Sequence, residues 1–246
     1  MKILIFDTET TGLPERNSSI NEINKWPHIL QLSYILFDQS NNELLTYSND
    51  YILIPPTVEI TEKSQSIHNI SREICNKNGK SIREVLNRFN ICLQKANIIV
   101  GHNISFDKRM IMVECTRNHI PQYFTYYSFG DKIQKPEYCT MKLSTELCKL
   151  PYKSKTMSSS KESINQQYNE ESIDINMAID KDKKIKYKFP TLNELYYKLF
   201  NLVPNNLHDS MVDILITFRC YIKLITTNDI CEINNDIKNL FIHYKI

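Results

Sequence analysis

The chain has 246 residues, 41% hydrophobic and 24% charged, with a formal net charge of +2 and an isoelectric point near 8.1. This is an ordinary composition for a soluble globular protein, with enough chain for one large domain or two small ones, and the charge neither demands nor excludes a nucleic-acid partner. No apolar run approaches the roughly 18 residues of a membrane span, Asp7 cuts the N-terminal apolar stretch too early for a secretory signal, and seven cysteines without a Cys-x-x-Cys pair predict reduced thiols and an intracellular setting.

The first predicted element is a strand, Lys2-Ile3-Leu4-Ile5-Phe6, whose unbroken apolar run suits burial on both faces of a sheet. At its end stand Asp7 and Glu9, two positions apart and so on one side of the strand. Two acids on one face beside a buried strand repel each other and lose solvation. A divalent cation relieves both costs, because hard cations take carboxylate oxygens. The plainer alternative is a strand running into a polar turn, and the spacing alone does not separate the two.

Pro14 to Trp26 is polar and predicts a loop. Ile29 to Phe37 then predicts a strand closed by Asp38 to Asn42, and Leu44 to Ile54 a second one stopped by Pro55-Pro56. Their short link fits an antiparallel hairpin or meander. In the turn Ile67-His68-Asn69-Ile70-Ser71, Asn69 suits a left-handed backbone and His68 a structural role. Ser81 with Glu84 has the pattern of a capping box, followed at helical spacing by Ile82, Val85, Leu86, Phe89 and Leu93. Ile98-Ile99-Val100 predicts a short buried strand ending at Gly101. The alternation of strands and helices from there indicates an α/β layer fold. Of only four glycines, Gly12 and Gly101 sit beside the acidic segments, where tight backbone geometry is expected.

In Gly101-His102-Asn103-Ile104-Ser105-Phe106-Asp107 the pattern predicts a helix with Asn103 as N-cap, running towards Asn118. Asp107 shares a stripe with Ile104, Met110 and Ile111 and points inward, so it needs a partner. The alternative is a first-turn acid favoured by the helix dipole. His102 and Asn103 are expected to hold the turn. A helix is predicted from Cys139 to about Lys149. From Lys153 to Lys188 the composition turns to Ser, Asn, Gln, Lys and Glu, which predicts a loop or disordered insertion. Its basic end, Lys181 to Lys188, is either a solvated linker or an arm that contacts nucleic acid. Another helix starts at Pro190-Thr191-Leu192. His208-Asp209-Ser210-Met211-Val212-Asp213 leads into a helix beginning at Asp209 or Ser210, with Asp213 inside it and His208 on the approach. Asp209 is expected to be exposed at the cap and not a ligand. Ile230 to Ile246 predicts a last helix.

Three of these segments together carry a resemblance. Asp7-Thr8-Glu9-Thr10-Thr11-Gly12-Leu13, His102-Asn103-Ile104-Ser105-Phe106-Asp107 and His208-Asp209-Ser210-Met211-Val212-Asp213 resemble, in order, the motifs of the DEDDh 3′→5′ exonucleases, relatives of the polymerase III epsilon proofreading subunit. Ser210 replaces the alanine of that family's third motif, a small-for-small change. Asn69 replaces a turn glycine, and Cys139 an acid outside the core catalytic set.

The resemblance implies a ribonuclease H-like α/β fold, a central mixed β-sheet flanked by helices, in one exonuclease domain over residues 1–246 with an insertion at about 153–188. It implies Asp7, Glu9, Asp107 and Asp213 as ligands of two divalent cations, Mg²⁺ or Mn²⁺, which suit oxygen-only ligands. His208 is implied as the general base. Thr8, Thr10, Leu13 and Phe106 are implied as substrate contacts, the last two against terminal bases. The implied reaction removes nucleoside monophosphates from the 3′ end of DNA, single-stranded by expectation, by a protein acting alone or with a polymerase in trans and without a membrane. An RNA-trimming member of the family and an end-binding subunit with a vestigial site are the alternatives.

Overall fold

The computed structural model describes residues 1–152 and 186–246. Its strands are β1 (Lys2–Thr10), β2 (Ile29–Asp38), β3 (Glu43–Tyr51), β4 (Ile98–Gly101), β5 (Thr125–Ser128), β6 (Asp131–Gln134) and β7 (Glu137–Cys139). Five of them form one sheet in the order β3-β2-β1-β4-β7, and β5 with β6 makes a separate hairpin. β1 is antiparallel to β2 and β2 to β3, whereas β4 is parallel to β1 and β7 to β4, so the sheet is mixed. The helices are α1 (Glu62–His68), α2 (Arg72–Asn78), α3 (Ile82–Lys95), α4 (Ser105–Arg117), α5 (Thr140–Leu143), α6 (Thr145–Cys148), α7 (Leu192–Phe200), α8 (Ser210–Thr226), α9 (Ile230–Ile233) and α10 (Asn235–His243).

Alternation along β1 divides the core. Ile3 and Ile5, with Ile35, Phe37 and Val100, pack on Met211, Ile214, Leu215, Phe218 and Ile222 of α8. Leu4 and Phe6, with Leu32, Tyr34 and Leu36, pack on the other face against Phe89 of α3 and Met110 and Ile111 of α4. Each such side chain, withdrawn from water, stabilises the fold by about 1.5–3 kcal/mol. β1 therefore lies between two helical layers, and whatever follows Phe6 is held at their common end.

The α/β architecture expected from the sequence is present, with local corrections. Ser81 precedes α3 without a side-chain capping bond. Asn103 is not an N-cap. It adopts φ 65°, and α4 begins two residues later with Ile104 in the cap position. Cys139 ends β7, and the segment after it forms two one-turn helices, not one. The C-terminal segment breaks into α9 and α10 at Asn234. The hairpin of β5 and β6 was not expected from the sequence. The insertion from Lys153 lies, up to residue 185, outside the described residues. At its border, Lys188 donates its backbone N–H to the Leu150 carbonyl at 2.9 Å. Among the described residues no helix is long and apolar enough to cross a membrane, and no cysteine is in a disulfide.

Candidate active site

The two faces of β1 meet different helices, and this distributes the acids. Asp7 and Glu9 continue the Ile3–Ile5 face towards α8, and Asp213 projects from the first turn of α8. One carboxylate oxygen from each of Asp7, Glu9 and Asp213 lies within 4.8 Å of the others. Thr8 points the other way and meets α4. It donates its N–H (3.1 Å) and its hydroxyl (2.7 Å) to Oδ1 of Asp107, which is 3% exposed. The inward acid of α4 thus has its partner, and the residue between Asp7 and Glu9 is what ties it to the site. Gly101 permits the tight turn into α4, since a Cβ there would lie 3.1–3.3 Å from Ile104.

This concentration of acid is electrostatically costly. Burial, then repulsion from Asp107, Asp213, Glu9 and Asp209, raises the Asp7 carboxyl well above its ordinary range. Burial, then repulsion from Asp213, Asp107 and Asp209, pushes Glu9 up to about 9. Burial pushes Asp107 up to about 7 against the two Thr8 hydrogen bonds. Asp213 also rises to about 7, chiefly by burial, opposed by the backbone N–H of His208. No described Lys or Arg forms an ion pair with any of the four. The donor set is oxygen only, and that is the chemistry hard divalent cations take.

His208 lies just before the cap residue Asp209, in left-handed backbone with φ 72°. Its N–H points at both oxygens of Asp213, at 3.3 and 3.4 Å, and its exposed imidazole bonds to no described residue. Because α8 starts only at Ser210, a histidine and an acid five residues apart can meet. Asp209 is half-buried, not exposed as expected. Its Oδ1 caps Met211 N–H at 2.9 Å, and its charge adds to the repulsion on Asp7, Glu9 and Asp213.

The four residues expected to contact substrate all line one cavity of about 460 Å³, and two of them also hold the local structure. Thr8 is committed to Asp107. Thr10 turns its hydroxyl to the Gly12 carbonyl at 2.7 Å and shapes the loop. Leu13, 76% exposed, and half-buried Phe106 flank this cavity, which also takes in Glu9, Thr61, Ile67 and His68. His68 is structural as expected. Its Nδ1 accepts Ile70 N–H at 3.0 Å, which leaves Nε2–H to donate to Thr10 O at 3.2 Å, while Asn69 takes φ 58°. His102 holds its turn from a distance, with Nδ1 on Thr140 Oγ1 (3.0 Å) and Nε2 on Pro190 O (3.1 Å).

Sequence reasoning missed the polar side chains behind the acids. Gln31 and Ser33 are 1% and 0% exposed, and they bond to Asn49 and to the start of α8. The available signal was two polar residues at alternate positions of an otherwise apolar strand.

A mixed sheet with carboxylates converging from the end of its central strand and from helices on both faces defines a ribonuclease H-like nuclease. Within that class the chain belongs to the exonuclease family, of the DEDDh 3′→5′ type: the family model matches residues 4–151, which include Asp7, Glu9 and Asp107 and stop short of His208 and Asp213. No curated protein matches the chain in sequence. Among solved structures it is similar to Escherichia coli exonuclease I in complex with a dT13 oligonucleotide, at 17% identity over 90% of this chain and 41% of that one, TM-score 0.59. It is likewise similar to exonuclease I from Methylocaldum szegediense, at 14% identity over 92% and 41%, TM-score 0.58. These likenesses are of fold, and the chain spans about 41% of the length of those proteins. Exonucleases of this kind use divalent metal ions, and the carboxylate group fits that use.

Proposed function

We propose that this chain, as one exonuclease domain carrying an insertion, hydrolyses the last phosphodiester bond at the 3′ end of a nucleic acid and releases nucleoside monophosphates, acting alone or with a polymerase in trans. The observation that carries this reading is the convergence of Asp7, Glu9 and Asp213, with Asp107 bonded to the residue between the first two. Asp7, Glu9, Asp107 and Asp213 would hold divalent ions, Mg²⁺ or Mn²⁺, which supply charge stabilisation to the attacking and leaving oxygens. His208 accepts the proton of the attacking water on its imidazole, which no described residue occupies, while its backbone N–H stays with Asp213. Leu13 and Phe106 offer apolar surface beside Glu9, against which terminal bases stack with little regard for sequence. DNA is the favoured substrate, because the first motif is nearest the proofreading branch and the structures of similar fold include one with a dT13 and one with a dA16 oligonucleotide.

The test is a 5′-labelled oligonucleotide incubated with Mg²⁺ or Mn²⁺, in matched DNA and RNA, single- and double-stranded forms. A ladder shortened from the 3′ end, abolished by EDTA and fastest on single-stranded DNA, is expected. A ladder that persists in EDTA, or none on any substrate, refutes the proposal. RNA cleaved faster than DNA would move the protein to the RNA-trimming branch.

A further inference from the structure

Sheet register lines up a second set of side chains behind the acids. In the antiparallel pair of β1 and β2, Ser33 is opposite Asp7 and Gln31 opposite Glu9, and in the next pair Asn49 is opposite Ser33. Directly opposed residues share a face, so Gln31, Ser33 and Asn49 lie on the α8 side with Asp7 and Glu9. Lower on that face the neighbours are Ile35 and Phe37 against the body of α8. At the upper end the face turns polar where α8 begins.

We infer that Gln31 is a positioning residue for the proposed reaction, fixing the first turn of α8 and with it His208 and Asp213; the inference rests on the functional reading above. The Gln31 amide is used at both ends. Its Oε1 accepts Ser210 N–H at 3.3 Å, and its Nε2 donates to Asn49 Oδ1 at 2.8 Å and towards Asp209 Oδ1 at 3.4 Å. Ser33 Oγ reaches Ser210 Oγ at 2.6 Å and Asn49 Oδ1 at 3.0 Å. Asp209 Oδ1, the atom that caps Met211 N–H, is thus the atom Gln31 faces. Asp7 and Glu9 are fixed by the sheet, whereas His208 and the entry to α8 that carries Asp213 also depend on this turn. A displacement of about 1 Å in such a group costs roughly 10²-fold in rate.

The network also specifies an amide. A carboxylate at position 31 would lose both donations and face Asp209 as a like charge. An apolar residue would leave Ser210 N–H buried without its partner and Asn49 Oδ1 with Ser33 Oγ alone. An asparagine at 209 could keep the cap through its oxygen and would remove the like charge that a carboxylate at 31 faces. Reciprocity between positions 31 and 209 is therefore a signature that simple packing would not produce.

The experiment compares wild type, Gln31→Glu, Gln31→Met, Asp209→Asn and the double variant Gln31→Glu/Asp209→Asn. It measures kcat and KM on 5′-labelled single-stranded DNA with Mg²⁺, and amide hydrogen exchange across residues 208–213. Gln31→Glu and Gln31→Met are expected to lose about 10²-fold in kcat with KM within about threefold, and to lose exchange protection at Ser210 and Met211 but not in β1. The double variant is expected to recover at least about tenfold of that loss. A kcat within about threefold of wild type in both single variants at position 31 overturns the inference, as does a double variant no better than Gln31→Glu. Should Gln31→Glu not fold, Gln31→Met with unchanged exchange at residues 208–213 overturns it equally. A wild-type protein inactive on every nucleic acid would refute the functional reading instead, and the exchange data would still decide whether Gln31 holds the turn.

Discussion

Replacing Glu9 by Gln should make the metal-free protein more stable, and by an amount that depends on pH. Burial and three neighbouring acids push Glu9 from 4.5 up to about 9. The folded state therefore holds a proton that the unfolded chain releases, and stability falls as pH rises from 4.5 towards 9. At pH 8 the cost reaches roughly 5 kcal/mol at one pKa unit per 1.36 kcal/mol. Glu9 is partly exposed, and solvent screening reduces this to roughly 2 kcal/mol. For a chain of this size that corresponds to about 4–8 °C in Tm. Thermal unfolding in EDTA should show Glu9→Gln melting above wild type by that margin at pH 8, with the gain shrinking towards pH 5. In saturating Mg²⁺ the difference should narrow or invert, because a ligand bound by the folded state stabilises wild type. A variant no more stable than wild type in EDTA at pH 8, or a gain unchanged between pH 5 and pH 8, would refute the reasoning.

Asp7→Ala should fold and give no ladder, since it removes the acid on which the repulsion of the other four converges; undiminished cleavage would sink the mechanism. His208→Ala should slow cleavage about 10²–10⁴-fold, with divalent-ion affinity by calorimetry little changed because no ligand is removed. Replacing residues 153–185 by a short Gly/Ser link should leave Tm nearly unchanged, as Leu150 and Lys188 already sit one hydrogen bond apart; binding to DNA that keeps its full salt slope would show that Lys181, Lys183 and Lys184 of the Lys181–Lys188 cluster meet no phosphate. His102→Phe should lower Tm by leaving the Pro190 carbonyl without its donor and the Thr140 hydroxyl with Gly101 O alone, a loss of about 1–3 kcal/mol by the usual cost of such a group, without altering divalent-ion affinity.

The elements legible in the sequence were those whose signal is local. The apolar run of β1, the 3.6-residue stripe of α3 and the turn residue Asn69 each announce themselves within a few positions. The approach of Asp7, Glu9, Asp107 and Asp213 is a long-range matter, and it was anticipated through the family's motif order, not through spacing. The Gln31–Asp209 contact links positions 178 apart, and no periodicity encodes it. The α4 start was misplaced because Asn103 has the chemistry of a cap, whereas the turn needs its left-handed backbone. The C-terminal break at Asn234 was missed because apolar residues continue on both sides of it, Ile230 and Ile233 before and Ile237, Leu240 and Phe241 after, while the Asn234 side chain caps α10 through Ile237 N–H at 2.9 Å.

The bond between Leu150 and Lys188 means that the backbone leaves and rejoins the body of the protein at one place. Residues 1–152 carry Asp7, Glu9 and Asp107; residues 186–246 carry His208 and Asp213. Neither piece holds the whole of the proposed reaction centre, yet each presents the complementary half of one apolar interface, Ile3, Ile5, Ile35 and Phe37 on one side and Met211, Ile214, Leu215 and Phe218 on the other. At about 1.5–3 kcal/mol per side chain, that interface is of the size needed to offset the roughly 4–15 kcal/mol lost in bringing two molecules together. The site is in effect a heterodimer written on one polypeptide. Two separately made fragments should find each other in solution, and nuclease activity should report their meeting.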